Sequence, residues 1–229
     1  MNAHVEELRR HGTTTLSDAM DRLGIVGQAF GITPLDRRFR LVGRAYTVRT
    51  VPVAVAAGAS VGDYIDEVPA GSVVVLDNGG RLDATVWGDI LTIVAHRRGL
   101  AGTVIHGVCR DAARSLELGY PIFSRGVFMR TGKDRVRADG YQVPVSLGEV
   151  RVEPGDLVVG DGDGIVVIPA GRLAEVLAAS SEIAEAEERI RGEVERGSRL
   201  DEARKRHRYF QLQSALLPGK EGQGGQARD

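Results

Sequence analysis

Three side chains in this sequence have types and spacing suited to holding an anion and a hard cation side by side: Asp89, Arg110 and Asp111. Gly88-Asp89 opens a segment with Ile90, Leu91, Val94 and Ala95 at helical spacing, soon after the Gly-rich turn Asn78-Gly79-Gly80. A helix N-terminus presents unpaired backbone N–H groups and a partial positive charge, so it holds carboxylates well. Gly88 would let a ligand come close to the backbone. Asp89 could equally be a simple first-turn acid, favourable to the helix dipole. Arg110 and Asp111 follow a short β-branched run and precede another helical pattern. On such a strand-to-helix loop, ligands bind outside the carboxyl ends of the strands. There Arg110 could fork onto a carboxylate or a developing oxyanion. Asp111 could give a hard cation one oxygen, with water and substrate completing the shell, as magnesium prefers. The plainer alternative stays open: Asp111 as a helix cap and Arg110 paired with a surface acid.

Other candidates carry less. Gly160-Asp161-Gly162-Asp163-Gly164 has the look of a calcium loop, but Ile165 occupies a ligand position and the distal Glu is missing, so a hairpin turn is expected. The five histidines show no zinc-binding spacing. His106 lies four residues before Arg110 and reads as a satisfied loop histidine. No nucleotide-binding Gly-rich loop sits between a strand and a helix. The run from Glu182 to Arg196 reads as a solvated helix face laced by i,i+4 pairs.

The elements that must position these residues follow from periodicity. Hydroxyls at Thr13–Thr15, then Leu16, Met20 and Leu23, then Gly24, predict a capped amphipathic helix. Ala45 to Val51 alternates as a strand, and Ser72 to Asp77 is a β-branched run expected to be buried on both faces. A helix over Gly88 to Arg98 stops at Gly99; Thr103 to His106 is a short strand; Asp111 to Leu118 is a helix ended by Gly119. This order predicts parallel βαβ pairing. Further on, Val150–Val152, Asp156–Val159 and Ile165–Ile168 are expected as a meander of short strands. A long helix begins at Gly171 and reaches Arg196. The domain expectation is one α/β unit over 1–218, its helical C-terminal extension starting at about 171, with 219–229 a disordered tail.

Composition bounds the rest. The chain has 229 residues, enough for one sizeable domain. A net charge of −1 gives no general field for a nucleic-acid or membrane partner. Cys109 is the single cysteine, which excludes an internal disulfide and any zinc site built from cysteines. Neither a signal-peptide pattern nor an apolar run of membrane-spanning length is seen, so a cytoplasmic protein is expected.

Asp89, twenty intervening residues and then Arg110-Asp111 resembles the D-x20-R-D signature of the class II pyruvate aldolases of the RraA-like family. The resemblance extends through TTTLSDAMDRLG from Thr13, Gly43-Arg44-Ala45, Ala84 to Gly88, Gly99-Leu100-Ala101-Gly102, Gly119 to Phe123, and VEPGDLVVGDGDGIVVIP from Val152. It implies a β/β/α swivelling-domain-like fold with a long C-terminal helix, assembled as homotrimers or homohexamers with the site in a cleft between subunits. The implied activity is cleavage of a 4-hydroxy-2-oxo acid, of the 4-hydroxy-4-methyl-2-oxoglutarate type, to pyruvate and a second oxo-acid. Oxaloacetate decarboxylation would share its metal-stabilised pyruvate enolate.

By match, Asp111 would be the direct protein ligand to Mg²⁺ or Mn²⁺, Arg110 would hold substrate oxygens, and Asp89 would order a metal-bound water. Gly88 and the backbone N–H groups of Ile90 and Leu91 would receive the pyruvyl carboxylate. A glutamate from a neighbouring subunit's C-terminal helix would complete the site; Glu187 matches best, with Glu185 and Glu188 close behind. Two departures stand out: His106 replaces a frequent Asp, and Arg114 replaces a frequent acid, where it could alter the distal substrate group or simply pair with Glu117. The family also implies a rival function, non-catalytic regulation of an RNA-degrading endonuclease. A methyltransferase role finds no S-adenosylmethionine loop to support it.

Overall fold

The computed structural model describes residues 3–53 and 62–213. The expected tail, 219–229, lies outside the described residues. Two helices, α1 (Ala3–Leu8) and α2 (Thr13–Arg22), precede β1 (Thr33–Pro34) and the long β2 (Leu41–Pro52). The alternating core then runs β3 (Val73–Asp77), α3 (Asp89–Arg97), β4 (Gly102–His106), α4 (Ala112–Leu118) and β5 (Ile122–Ser124). Five strands follow: β6 (Val136–Tyr141), β7 (Val145–Leu147), β8 (Val150–Val152), β9 (Leu157–Asp161) and β10 (Gly164–Ile168). Three helices close the described chain: α5 (Leu173–Glu195), α6 (Leu200–Arg206) and α7 (Tyr209–Gln213).

The main sheet has the order β1-β5-β4-β3-β2-β9-β10, with β6 also on β2. It curls into a nearly closed barrel: Gln28, just ahead of β1, forms a bridge to Val166 of β10. The strands β2, β3, β4 and β5 run parallel, as the βαβ pattern predicts. One face of the strands, including Ala45, Val73, Val75, Val104, Phe123, Val158 and Val167, lines the barrel interior, which the β7–β8 ribbon plugs with Val145, Leu147, Val150 and Val152. The opposite face splits in two. Val74, Leu76, Ile105 and Ile122 pack under the α3–α4 layer, while Val159, Val166 and Ile168 pack against α2 and α5. Val73 to Leu76 are fully buried, each worth about 1.5–3 kcal/mol in water removed from the side chain.

Two expectations need correction. Val150–Val152 does not continue a meander into β9; it pairs only with β7, in a separate ribbon. Asp156–Val159 and Ile165–Ile168 do form a hairpin, β9 with β10, around the Gly162-Asp163 turn. The expected long helix is α5, which begins at Leu173 after a 3-10 turn at Ala170–Arg172 and ends at Glu195; beyond it the chain reverses at Gly197 into α6 and α7. Asp111 is not in its helix but immediately ahead of it. The stop predicted at Gly99 is in place, in the left-handed conformation that glycine adopts without penalty (φ 67°). No described helix is long and apolar enough to cross a membrane.

Candidate active site

The parallel register of β3 and β4 sets Asp77 opposite His106, so the loops leaving the two strand ends run side by side. Arg110 donates its backbone N–H to the Trp87 carbonyl (3.0 Å), and Thr85 bridges to Val108. These bonds make neighbours of Gly88-Asp89 and Arg110-Asp111.

Asp111 occupies the N-cap position of α4 in the left-handed conformation (φ 55°, ψ 38°). A non-glycine residue there costs about 1–3 kcal/mol, and such strain collects where structure serves function. Its carboxylate makes no capping bond to its own helix. Instead Oδ2 accepts the Asp89 N–H at the start of α3 (3.2 Å) and lies 3.3 Å from Arg110 Nε. Oδ1 accepts no hydrogen bond among the described residues. Both side chains are about two-fifths exposed, at 40% for Arg110 and 41% for Asp111.

Gly88 caps α3 with an extended backbone that any residue adopts; space is what requires glycine there. An added Cβ would lie 2.8 Å from Asp111 Oδ2 and 3.2 Å from Arg110 Nε. The Ile90 N–H is donated to Asp89 Oδ1 (2.8 Å), whereas the Leu91 N–H has no acceptor among the described residues. The Ile90 side chain is exposed.

A rigid platform lies beneath, which sequence reasoning did not find. Trp87 donates its indole N–H to Thr92 Oγ1 (2.9 Å), and the Thr92 hydroxyl donates to the Gly88 carbonyl (2.9 Å). The Trp87 ring stacks on Tyr120 at 6.3 Å, and the Tyr120 hydroxyl shares a 2.9 Å bond with Thr103. Burial pushes the Tyr120 hydroxyl well above its ordinary pKa. Trp87 is the sole tryptophan, placed one residue before Gly88; that position was the available signal.

His106 is held rather than free. Its Nδ1 lies 3.3 Å from Asp77 Oδ1. Burial alone would raise the Asp77 carboxyl, but the His106 ring and the N–H groups of Gly79 and Ser146 outweigh it and hold it below the usual range. Arg114 pairs with Glu117 at 2.8 Å, the simpler of its two expected fates. Glu187 stands apart: it projects from α5, in the other helical layer, and no contact joins it to Asp89, Arg110 or Asp111 among the described residues. The run around it does carry the expected ladder, with Glu185–Arg189, Glu187–Arg191 and Glu188–Arg191 contacts.

Among the described residues no group of three or more His, Cys, Asp or Glu side chains could enclose a metal. That excludes a zinc-type cage from them. A single carboxylate with one uncommitted oxygen does fit a hard cation that keeps most of its water, as Mg²⁺ does.

Residues 13–167 match the RraA-like family model, described as Aldolase/RraA. The chain belongs to the RraA-like family. Among curated RraA-like relatives, Protein DlpA of Legionella pneumophila is 39% identical over 90% of this chain, which spans only 34% of that protein. A Halalkalibacterium halodurans protein named "Putative 4-hydroxy-4-methyl-2-oxoglutarate aldolase" is 37% identical over 76% of this chain and 80% of its own length. A solved structure from Pseudomonas syringae pv. tomato superposes with a TM-score of 0.82 at 42% identity, covering 88% of this chain and 96% of that one. Streptomyces coelicolor RraAS2, titled an unusual member of the RNase ES inhibitor RraA protein family, superposes at 0.74 with 32% identity, covering 82% and 95%. The mixed α/β barrel with its C-terminal helices is therefore the RraA-like fold.

Proposed function

We propose that this chain is a divalent-metal-dependent carbon–carbon lyase. It would cleave a 4-hydroxy-2-oxo acid to pyruvate and a second oxo-acid, and decarboxylate oxaloacetate at the same site. The observation that carries this reading is the convergence of Asp111, Arg110 and the N-terminus of α3 on one point, close enough to Gly88 that a Cβ would collide with Asp111 and nearly with Arg110. The 37% identity to the Halalkalibacterium protein supports the substrate class.

Asp111 would hold Mg²⁺ or Mn²⁺ through its uncommitted oxygen. The metal, when bound, supplies Lewis-acid polarisation of the substrate's oxo group. The residues of the chain do the rest. The N-terminus of α3, with the Leu91 N–H unpaired, attracts the substrate's 1-carboxylate; the Ile90 N–H joins when Asp89 releases it. Arg110 places a guanidinium where negative charge grows on the 2-oxo oxygen, and such preorganised charge is worth most in the transition state. Asp89, through water, takes the proton from the 4-hydroxyl as the bond between C3 and C4 breaks. Glu187 of a neighbouring copy serves the same water from the other side, which requires an oligomer, of the homotrimer or homohexamer kind that the family resemblance implies.

A second reading, a non-catalytic regulator of an RNA-degrading endonuclease, draws on the likeness to RraAS2. Regulation by binding gives no reason for the strained Asp111 backbone or for the space kept open at Gly88. Pyruvate release from a panel of 4-hydroxy-2-oxo acids and from oxaloacetate, with and without Mg²⁺, decides between the two. Metal-dependent release above the metal-only background is expected. Its absence for every oxo-acid would leave the regulator.

A further inference from the structure

Three glutamates of α5 compete for the role across the subunit boundary, and the fold treats them differently. Glu185 and Glu188 are 68% and 77% exposed and, among the described residues, contact only arginines of their own helix, Arg189 and Arg191. Glu187 is 21% exposed and is the one of the three that another element grips: the Tyr209 hydroxyl of α7 donates a 3.0 Å hydrogen bond to its Oε1. Arg191 lies 3.7 Å from its other oxygen.

The grip is built in two steps. After Gly197 the chain folds back along α5, and α6 docks through the buried Ala203. Six residues beyond Glu187, about 9 Å along the helix, Glu193 anchors the return. His207 Nε2 bonds its Oε1 at 3.0 Å, and Arg206 lies 3.0 Å from Oε2 as an ion contact. The His207 hydrogen bond and the Arg206 charge hold the Glu193 carboxyl below its ordinary range. Arg204 lies over the Tyr209 ring at 5.5 Å and over Phe210 at 5.7 Å, and Leu212 packs into the α2–α5 core. Tyr209 therefore arrives at Glu187 with its ring already fixed. A free glutamate side chain loses substantial rotamer entropy on being placed. A tyrosine held in this way performs that ordering before substrate arrives.

We infer that Tyr209 is a positioning residue for Glu187, and that the α6–α7 return is a clasp holding that carboxylate in the one orientation the neighbouring site uses. This rests on the lyase reading. It adds a residue outside the Asp89–Arg110–Asp111 set and outside the region 13–167 matched by the family model. In this reading Tyr209 acts on the reaction through Glu187.

The experiment is a double-mutant cycle on the full chain with Mg²⁺, using Tyr209→Phe, Glu187→Gln and both together, read as pyruvate release. Tyr209→Phe removes one hydroxyl and keeps the ring beneath Arg204. Loss of one charge-assisted hydrogen bond to an orienting group predicts a fall in kcat of about tenfold, with KM within about twofold. In the Glu187→Gln background the same substitution should cost nothing further, because its effect passes through that carboxylate. Light scattering and thermal unfolding should match the parent for all three. A wild-type rate in Tyr209→Phe, or equal losses in both backgrounds, overturns the inference while leaving the lyase intact. A wild type that releases no pyruvate removes the lyase reading and the inference together. Activity that survives in Glu187→Gln alone removes this inference and points to a different glutamate.

Discussion

Thr13 and Asp161 are 148 residues apart, yet the Asp161 carboxylate accepts both the Thr13 backbone N–H (2.8 Å) and its hydroxyl (2.6 Å). Gly12, at the N-cap of α2, has no side chain to offer, so the turn of the β9–β10 hairpin supplies the cap from outside. The same carboxylate accepts the Asp163 N–H at 3.0 Å and closes its own turn. Burial works against ionisation of Asp161, but the Thr13 hydroxyl, the Thr13 and Asp163 N–H groups and the Arg40 charge outweigh it and lower its pKa.

The sign of the pH effect follows. A carboxylate whose folded pKa is depressed contributes stability that is fully present above its unfolded value, about 4, and is lost as pH falls through the folded value. Denaturant titrations from pH 7 down to 3 should show stability falling most steeply below pH 4. Asp161→Asn should lower stability at pH 7 by about 1–3 kcal/mol and flatten that acid limb. An unchanged limb in the variant would place the acid sensitivity elsewhere.

Gly88→Ala separates fold from function. The added Cβ collides with the end of the Asp111 side chain and presses on the Nε of Arg110, both on flexible side chains that can swing aside, and the backbone there suits any residue. The melting temperature should move by no more than a few degrees, while pyruvate release falls by at least about a hundredfold, as a displacement of about 1 Å in a positioned group can cost. Retained turnover would show that the contact among these groups is not the reacting geometry.

Metal removal should abolish activity reversibly. A chelator stops pyruvate release, Mg²⁺ or Mn²⁺ restores it, and the circular dichroism spectrum stays the same, because a site completed by water contributes little to the core. Asp111→Ala should behave as the chelated protein does. It should also relieve no core packing, since that side chain is two-fifths exposed. Full activity in Asp111→Ala removes the metal assignment.

Arg110→Lys tests the charge that meets the developing oxyanion. An ammonium does not reproduce the guanidinium fork, so kcat should fall for 4-hydroxy-2-oxo acids and oxaloacetate together, by about a hundredfold. If KM rises while kcat holds for both, Arg110 binds the ground state only.

How much of this was legible in the sequence depended on range. Asp89, Arg110 and Asp111 could be read because caps and strand-to-helix loops are written in consecutive residues. That Asp111 turns away from its own helix toward Asp89 could not, since the contact exists only after β3 and β4 pair. The strand at Ala45–Val51 was visible by alternation, but its first residues, Leu41 to Gly43, are buried on both faces and carry no period of two. Val150–Val152 reads as a strand of the barrel wall rather than of the β7–β8 ribbon because a plug inside a barrel and a strand in its wall share one short β-branched pattern. The end of α5 near Arg196 is legible, with Gly197 just beyond it, but the return of α7 onto Glu187 is not, because that contact exists only once α6 and α7 fold back along α5.

The long strand β2 has a consequence for how the chain is made. One edge pairs with β3, about thirty residues ahead, but the other edge is filled along Leu41–Arg44 by β9, which emerges from the ribosome more than a hundred residues later. Until then that row of N–H and C=O groups is an open template for any other strand. Nascent chains stalled before Leu157 should therefore be held by chaperones or associate through this edge, and release of a full-length chain, not synthesis of its first half, should set the moment at which the barrel becomes protease-resistant.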